Sequence, residues 1–545
     1  MRGAQFYEVK GLRGLERDIS PLPGLPSPDA AYLAQDVRIG DTVGAIEKFG
    51  GRKRINMTAF PAGAKLPGHV LGFMQARLSG GDFQVAVTSG NDLTSQIVQN
   101  VEYAEPNWSM SDITRAAYVP QCPVNRRFSF AILNDRLVMS DFAVTALEQW
   151  VGGAGGATKT TALTTTNGPT KARYLHTARD FMFAAHTIEG GTSYNNRLRW
   201  CDAGNPNAWT STNYFDLGPY ESDEITGLSS VQAVTVVFKR KSIWIAAYEG
   251  APMYFLFDNM IPDKGAMAPF AIVPVRNYLY FVGNDGVYIF DGSPIPKKIS
   301  GIKVSRYFVA NLSDDDGYQI IGFAHPSRSE IWFCSQRGAF PTWVYNYQTD
   351  DWYSSSINYK ALSRAVKTQR STWDSLALEA TRYTWDSIAF KSGSHTWDEA
   401  FNVTKGTLFL GGATDPTTTQ AALYEVDTGE YADVYGATST ALTSTYRTPE
   451  IDCGMPDRQK RVLGAILKLA PMAATLTLRV YVNGVQMGSD ITITVSSSAG
   501  DYIEKKVYFN LVAVSVQLEI VNAVAAESFK LLSYGLYYIP REFVQ

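Results

Sequence analysis

Short apolar strands, tight polar turns and aromatic-rich returning strands alternate along most of this chain. Residues 130–133 turn at Asn134-Asp135 into 136–139, and 235–238 turn at Lys239-Arg240-Lys241 into 242–246. Residues 272–275 turn at Arg276-Asn277 into 278–282, and 320–324 turn near 327–329 into 330–334. Further copies are read around Gly80-Gly81, Arg179-Asp180 and Lys405-Gly406. Tight hairpin turns select residues that tolerate positive φ, and the flanking β-branched and aromatic side chains suit a pleated surface. Successive turns lie 37 to 78 residues apart, a ragged period near that of four-stranded propeller blades, ~40–45 residues. The pattern predicts an all-β chain whose main body, residues 65–436, is a β-propeller-like domain of six or seven blades closed into a ring.

The flanks have a different texture. Residues 1–64 read as an extended Gly- and Pro-rich segment with one short hairpin, 36–39 with 45–51, that feeds the first blade. Inside the repeats, Thr372-Trp373-Asp374, Thr384-Trp385-Asp386 and Thr396-Trp397-Asp398 recur every 12 residues. Twelve residues are too few for a blade, so 370–400 reads as an insertion of stacked turns and as a peripheral interaction arm. From 437 onward, Leu476, Leu478, Val480 and Val482 alternate with Thr475, Thr477, Arg479 and Tyr481, and Asn483-Gly484 follows as a strong hairpin signal. Residues 437–545 are therefore expected to form a separate antiparallel β-sandwich that folds as a distinct unit.

Composition narrows the partners. The 545 residues exceed what one compact core usually holds, and 49 basic against 52 acidic side chains give a net charge of −3. Such a balance lacks the basic footprint of a nucleic-acid binder. Cys122, Cys201, Cys334 and Cys453 are scattered and read as buried free thiols of a reducing cytosol. No apolar run reaches spanning length, and the first residues read as lacking a signal peptide.

Chemical motifs are sparse. Residues 152–160 have the glycines and lysine of a phosphate loop, but Thr158 precedes Lys159 where glycine is needed, so the tract reads as an exposed loop. His69, His176, His186, His325 and His395 show no zinc spacing, and His176 and His186 read as sheet histidines with local partners. Gly-x-Ser-x-Gly is absent, and the acids at 221–224 and 314–316 read as solvated turns. No catalytic residue, metal or cofactor is assigned, and the chain is expected not to be an enzyme. Among the basic clusters, Lys239, Arg240 and Lys241 lie at a blade turn and are the first candidates for channel or partner contacts.

One block is distinctive: Arg197-Leu198-Arg199-Trp200-Cys201-Asp202-Ala203-Gly204-Asn205-Pro206-Asn207-Ala208-Trp209, then Phe215-Asp216-Leu217-Gly218 and Glu224-Ile225-Thr226-Gly227-Leu228. With residues 237–245 and the Thr-Trp-Asp repeats, it resembles the tail nozzle and packaged-DNA stabilisation (tail hub) proteins of short-tailed bacteriophages, over residues 30–430. Cys201 between Trp200 and Asp202 is a departure that leaves the turn chemistry intact. The resemblance implies a virion protein made in the host bacterial cytoplasm. It implies a homo-oligomeric ring, commonly a hexamer, below the portal and the tail adaptor or head-to-tail connector, near the tail fibre or tailspike. Genomic dsDNA would be retained and then passed at ejection without sequence reading, which a mildly acidic wall favours because a strongly basic one would hold it. The alternative is a carbohydrate-binding propeller for receptor or glycan recognition, with Trp373, Trp385 and Trp397 stacking on sugars. A propeller glycoside hydrolase ranks third, since no acid pair is readable.

Overall fold

The computed structural model describes residues 4–18, 27–40, 44–55, 70–89, 96–104, 107–115, 127–142, 146–153, 158–218, 222–310, 319–335, 341–369, 404–414, 421–429, 431–435, 438–496, 500–525 and 527–541. Its hairpins start from the turns the sequence marks. Asn134 and Asp135 have φ of 47° and 58°, Arg179 and Asp180 of 47° and 61°. Both central residues in the left-handed region match the right-handed twist of the strands they join.

Seven antiparallel blades result: five separate four-stranded sheets spanning 70–112, 129–162, 171–216, 225–261 and 273–298, a sixth blade at 320–355 that is part of a ten-stranded sheet, and a seventh whose first three strands span 361–426 within a six-stranded sheet. The first strand of each lies beside the first strand of the next, and Ala361–Gln369 of the seventh lies beside Val70–Leu78 of the first. The ring therefore closes, as a β-propeller of seven blades. Each blade buries both faces against its neighbours, which explains the unbroken apolar runs. In Phe181–Glu189, Phe181, Phe183 and Ala185 face blade four, while Met182 and Ala184 face blade two. In Val234–Lys239, Val237 faces blade three while Val236 and Phe238 face blade five.

Closure uses the start of the chain. Arg52–Arg54 is the fourth strand of blade seven, antiparallel to Ala421–Val426 and parallel to Ala432–Tyr435. Arg52 anchors it: its guanidinium donates to the Asp433 carboxylate at 2.8 and 2.6 Å and lies 4.3 Å from the Tyr424 ring centroid. The hairpin expected to feed blade one goes elsewhere. Val37–Ile39 and Ile46–Lys48 join Lys530–Pro540, Lys460–Leu469 and Ile503–Ala513; Gln5–Lys10 pairs along the same edge of Lys530–Pro540 as Ile46–Lys48, opposite Lys460–Leu469. That sheet faces a second one containing Ser444–Arg447, Gln517–Asn522, Ala474–Val482 and Ile491–Val495. Asn483 and Gly484, with φ of 49° and 75°, form the turn after Ala474–Val482.

The C-terminal sandwich is present, yet it is not built from 437–545 alone. Leu33–Gln35 pairs with Ser444–Arg447 on one side and runs parallel to Asp351–Ser355 of blade six on the other, so one sheet continues from propeller to sandwich. A single apolar cluster includes Val282, Phe333 and Tyr424 of the propeller with Leu467, Leu478 and Leu536 of the sandwich. The expected outcome of proteolysis follows. The intact chain should yield no stable fragment beginning at 430–445, and a chain lacking residues 1–54 should lose the cooperative thermal transition seen by circular dichroism. A protease-resistant C-terminal fragment would show that the sandwich stands alone.

The α-helix Gly301–Ala310 sits after blade five. Val304 and Phe308, four apart and both buried, hold it; the Phe308 ring packs on Phe333, Trp343 and Trp352. No helix among the described residues is long and apolar enough to cross a membrane.

Candidate functional site

At the propeller axis, side chains from the inner strands of several blades converge. Phe73, Phe128, Phe130, Phe270 and Arg127 from the inner strands and loops surround a space of about 180 Å³. A Cβ on Gly72 would stand 2.7 Å from the Phe130 ring, so the inner strand depends on glycine there to approach so closely. Among the described residues the axis offers no conduit wide enough for a duplex.

The expected channel contacts separate. Lys239 is fully buried; its Nζ donates to the Leu217 carbonyl at 3.1 Å and lies 3.9 Å from Asp223. A channel or partner contact through Lys239 is thus corrected: the strand's last residue turns inward, where a carbonyl and a carboxylate receive its charge. Arg240 pairs with Glu224 at 3.4 Å, and the exposed Lys241 uses its backbone N–H on Asp223 at 3.0 Å. Asp223, expected at a solvated turn, is buried and accepts also from Ser242 Oγ at 2.9 Å. Trp373, Asp374, Trp385, Asp386, Trp397 and Asp398 lie outside the described residues. The described residues on either side, Gln369 and Thr404, pair across the first two strands of blade seven. Lys405-Gly406 is consequently part of the strand Thr404–Thr414, not a turn.

The histidines take local partners. His176 shares a 2.6 Å hydrogen bond with Ser230 Oγ, and His186 Nδ1 lies 3.8 Å from Glu224. His176 pairs in register with Phe183, so the two rings do not meet across the hairpin. Among the described residues no three His, Cys, Asp or Glu side chains converge as a metal site. Cys201, Cys334 and Cys453 are buried free thiols, raised to about 11, 12 and 12 by burial; Cys122 lies outside the described residues.

Two clusters escaped the sequence. The first is a buried charge knot where N-terminal hairpin, blade six and blade seven meet. Arg38 donates to both Asp427 oxygens at 3.0 and 2.8 Å and lies 3.8 Å from Glu330. Arg328 and His325 approach Asp427 at 3.3 and 3.7 Å. Tyr353 and Trp332 donate to Glu330. Burial raises Glu330; burial also works to raise Asp427, but Arg38 beside it outweighs that and holds it at about 2. The two carboxylates are sealed, with side chains 1% and 7% exposed, and they fasten three parts of the chain together.

The second is an open wedge of about 450 Å³ between the outer halves of blades five and six. Tyr278 and Tyr280 share one face of Tyr278–Gly283, and Tyr280 continues across the sheet through Ile289 to Lys297. Tyr345 and Tyr347 face them from blade six; the Tyr280 and Tyr345 rings meet at 6.0 Å and form the floor. Tyr278 is 43% exposed and Ile295 80%, so the rim is open. Asp350 accepts from Tyr345 Oη at 2.9 Å and pairs with Lys303 at 2.8 Å, while Asp291 accepts from the Ser293 N–H at 2.9 Å. Burial raises Tyr280 to about 12 and raises Tyr345 too, Asp350 adding to the latter, so both floor phenols stay protonated. The signal was the period-two spacing of paired tyrosines, which reads equally as a blade's core face.

No family model and no curated protein matches this chain. Solved structures similar to it include the exo-β-1,3-galactanase of Phanerochaete chrysosporium with galactose, at 12% identity and a TM-score of 0.29, covering 90% of this chain and 100% of that one. The Neurospora crassa Pan2 WD40 domain is similar at 9% identity and a TM-score of 0.33, over 54% of this chain and 82% of its own. A carbohydrate-binding CBM35 module of Paenibacillus barcinonensis is similar at 21% identity and a TM-score of 0.14, over 19% of this chain and 80% of its own. The expectation that the chain is not an enzyme is corrected: a glycosidase, the exo-β-1,3-galactanase, is among the solved structures similar to it. No catalytic residue is carried across.

Proposed function

We propose that this chain is a wall subunit of the distal tail channel of a short-tailed bacteriophage, a nozzle or hub. The observation that carries the reading is the small space at the propeller axis, too narrow among the described residues for a duplex, so any conduit lies between copies. The sequence block at 197–228 and the residues at 237–245 support it through their resemblance to nozzle and hub proteins. In this reading several copies, six by the resemblance, form a ring below the adaptor, beside fibre or spike proteins, and genomic dsDNA passes through the hollow. The 370–400 insertion is then an arm reaching a neighbour, since its stem at Gln369 and Thr404 is already paired. Negative-stain images of the purified chain should show rings with a central hole. A chain lacking 370–400 should keep the propeller and change only ring contacts. Solitary particles at every concentration would overturn the reading.

A second reading, glycan recognition, is favoured by the tyrosine wedge between blades five and six. A glycan array probed with the intact chain tests it, and an empty array would remove it.

A further inference from the structure

We infer that the wedge between blades five and six is a binding site for a neutral saccharide, held by stacking on Tyr278 and Tyr347. The inference rests on the glycan reading and moves its address from the Thr-Trp-Asp repeats to residues of the propeller itself. Its volume, about 450 Å³, falls within the ~300–1,000 Å³ of small-molecule sites.

The lining selects the class of ligand. Tyrosine rings supply apolar faces that lose little rotamer freedom on binding, and the C–H face of a pyranose is their natural partner. The hydroxyls of Tyr278, Tyr280 and Tyr347 have no protein partner among the described residues, so they are available to a ligand's hydroxyls. Around the rim stand acceptors and donors of both kinds: Asp291, Ser293, Lys297 and Asp350. A polyol gives and accepts hydrogen bonds, and so answers both carboxylates and the ammonium. A phosphate or sulfate ester would meet two carboxylates against Lys297, with Lys303 already engaged by Asp350. A proline-rich peptide also docks on aromatic grooves, but it needs a run several residues long. Here the Tyr280–Tyr345 contact closes the inner end and leaves a blind wedge.

The test titrates the intact protein with cellohexaose, maltohexaose and β-1,3-galactotriose by calorimetry, with a ten-residue proline peptide as comparison. At least one oligosaccharide should bind, and Tyr278→Ala and Asp291→Ala should each weaken it at least tenfold. The melting temperature should not move, because both side chains sit at the open rim. Saccharide binding that survives Tyr278→Ala overturns the wedge and leaves glycan recognition elsewhere on the chain. Failure of all three sugars to bind, or binding of the peptide alone, overturns the wedge; a positive array in that case still upholds the broader reading.

Discussion

Asp427→Ala is expected to lower the unfolding free energy by about 3–5 kcal/mol, because removing one partner of a buried ion pair strands the other. Arg38 is the stranded group: its side chain is 1% exposed, and Asp427 receives two of its N–H donors. Glu330 remains as a counter-charge at 3.8 Å, but Tyr353 and Trp332 already orient it, so it replaces Asp427 only in part. The effect spreads because Asp427 follows blade seven and Arg38 belongs to the hairpin that joins the sandwich; losing the pair loosens ring closure and domain junction together. Gly50 reports the same crowding: a Cβ there would stand 1.9 Å from an Asp427 oxygen. Replacing all three members together, Arg38→Met, Glu330→Gln and Asp427→Leu, should recover most of the loss, since neutral side chains of similar volume often replace a buried charged cluster without cost, and the new amide would still accept from Tyr353 and Trp332. Urea unfolding at pH 7 measures both. A loss below about 1 kcal/mol for Asp427→Ala, the range of an exposed pair, would show that the knot is not a fastener.

The turns were legible because their chemistry is local. Asn134-Asp135, Arg179-Asp180 and Asn483-Gly484 each mark a reversal that two residues decide, and the repeat of such reversals is enough to suggest blades. Destinations of strands were not legible. Arg52 meets Asp433, and Lys48 meets Asn522 at 2.6 Å, across several hundred residues, a pairing that no local pattern encodes. The helix Gly301–Ala310 was hidden for a related reason. Its Ile302, Val304 and Val309 have strand preferences, and the helix is held by aromatic neighbours from blade six, not by its own propensity. Lys239 shows the limit for sites: three basic residues in a row look like one patch, but strand alternation puts the first inside. The tyrosine wedge needed two blades side by side before Tyr278 and Tyr347 could be seen to face one space.

Acid should unfold this protein in stages, and His325 sets the first. Burial pulls its imidazole from the usual 6.5 to about 4, and Arg38 and Arg328 add to that, against the opposing pull of Asp427. The folded chain thus keeps His325 neutral where the unfolded chain binds a proton, so stability is intact above about pH 6.5 and is lost as pH falls toward 4. The difference amounts to about 3 kcal/mol for this one ring. His176, also lowered to about 4 by burial, acts in the same direction and window. Below pH 4 the carboxylate of Asp427 takes over: held at about 2, it favours the fold until it is protonated. Glu330, raised by burial, works the other way and blunts the slope, because its folded form takes up a proton first. His325→Phe keeps the stacking on Trp332, whose ring centroid lies 5.6 Å away, and removes the titration. Denaturant midpoints measured from pH 7 to pH 4 should fall steeply for the parent chain and less steeply for His325→Phe. Equal slopes would mean that the His325 ring reaches water and protonates in place, and the sealed knot around Asp427 would then be open.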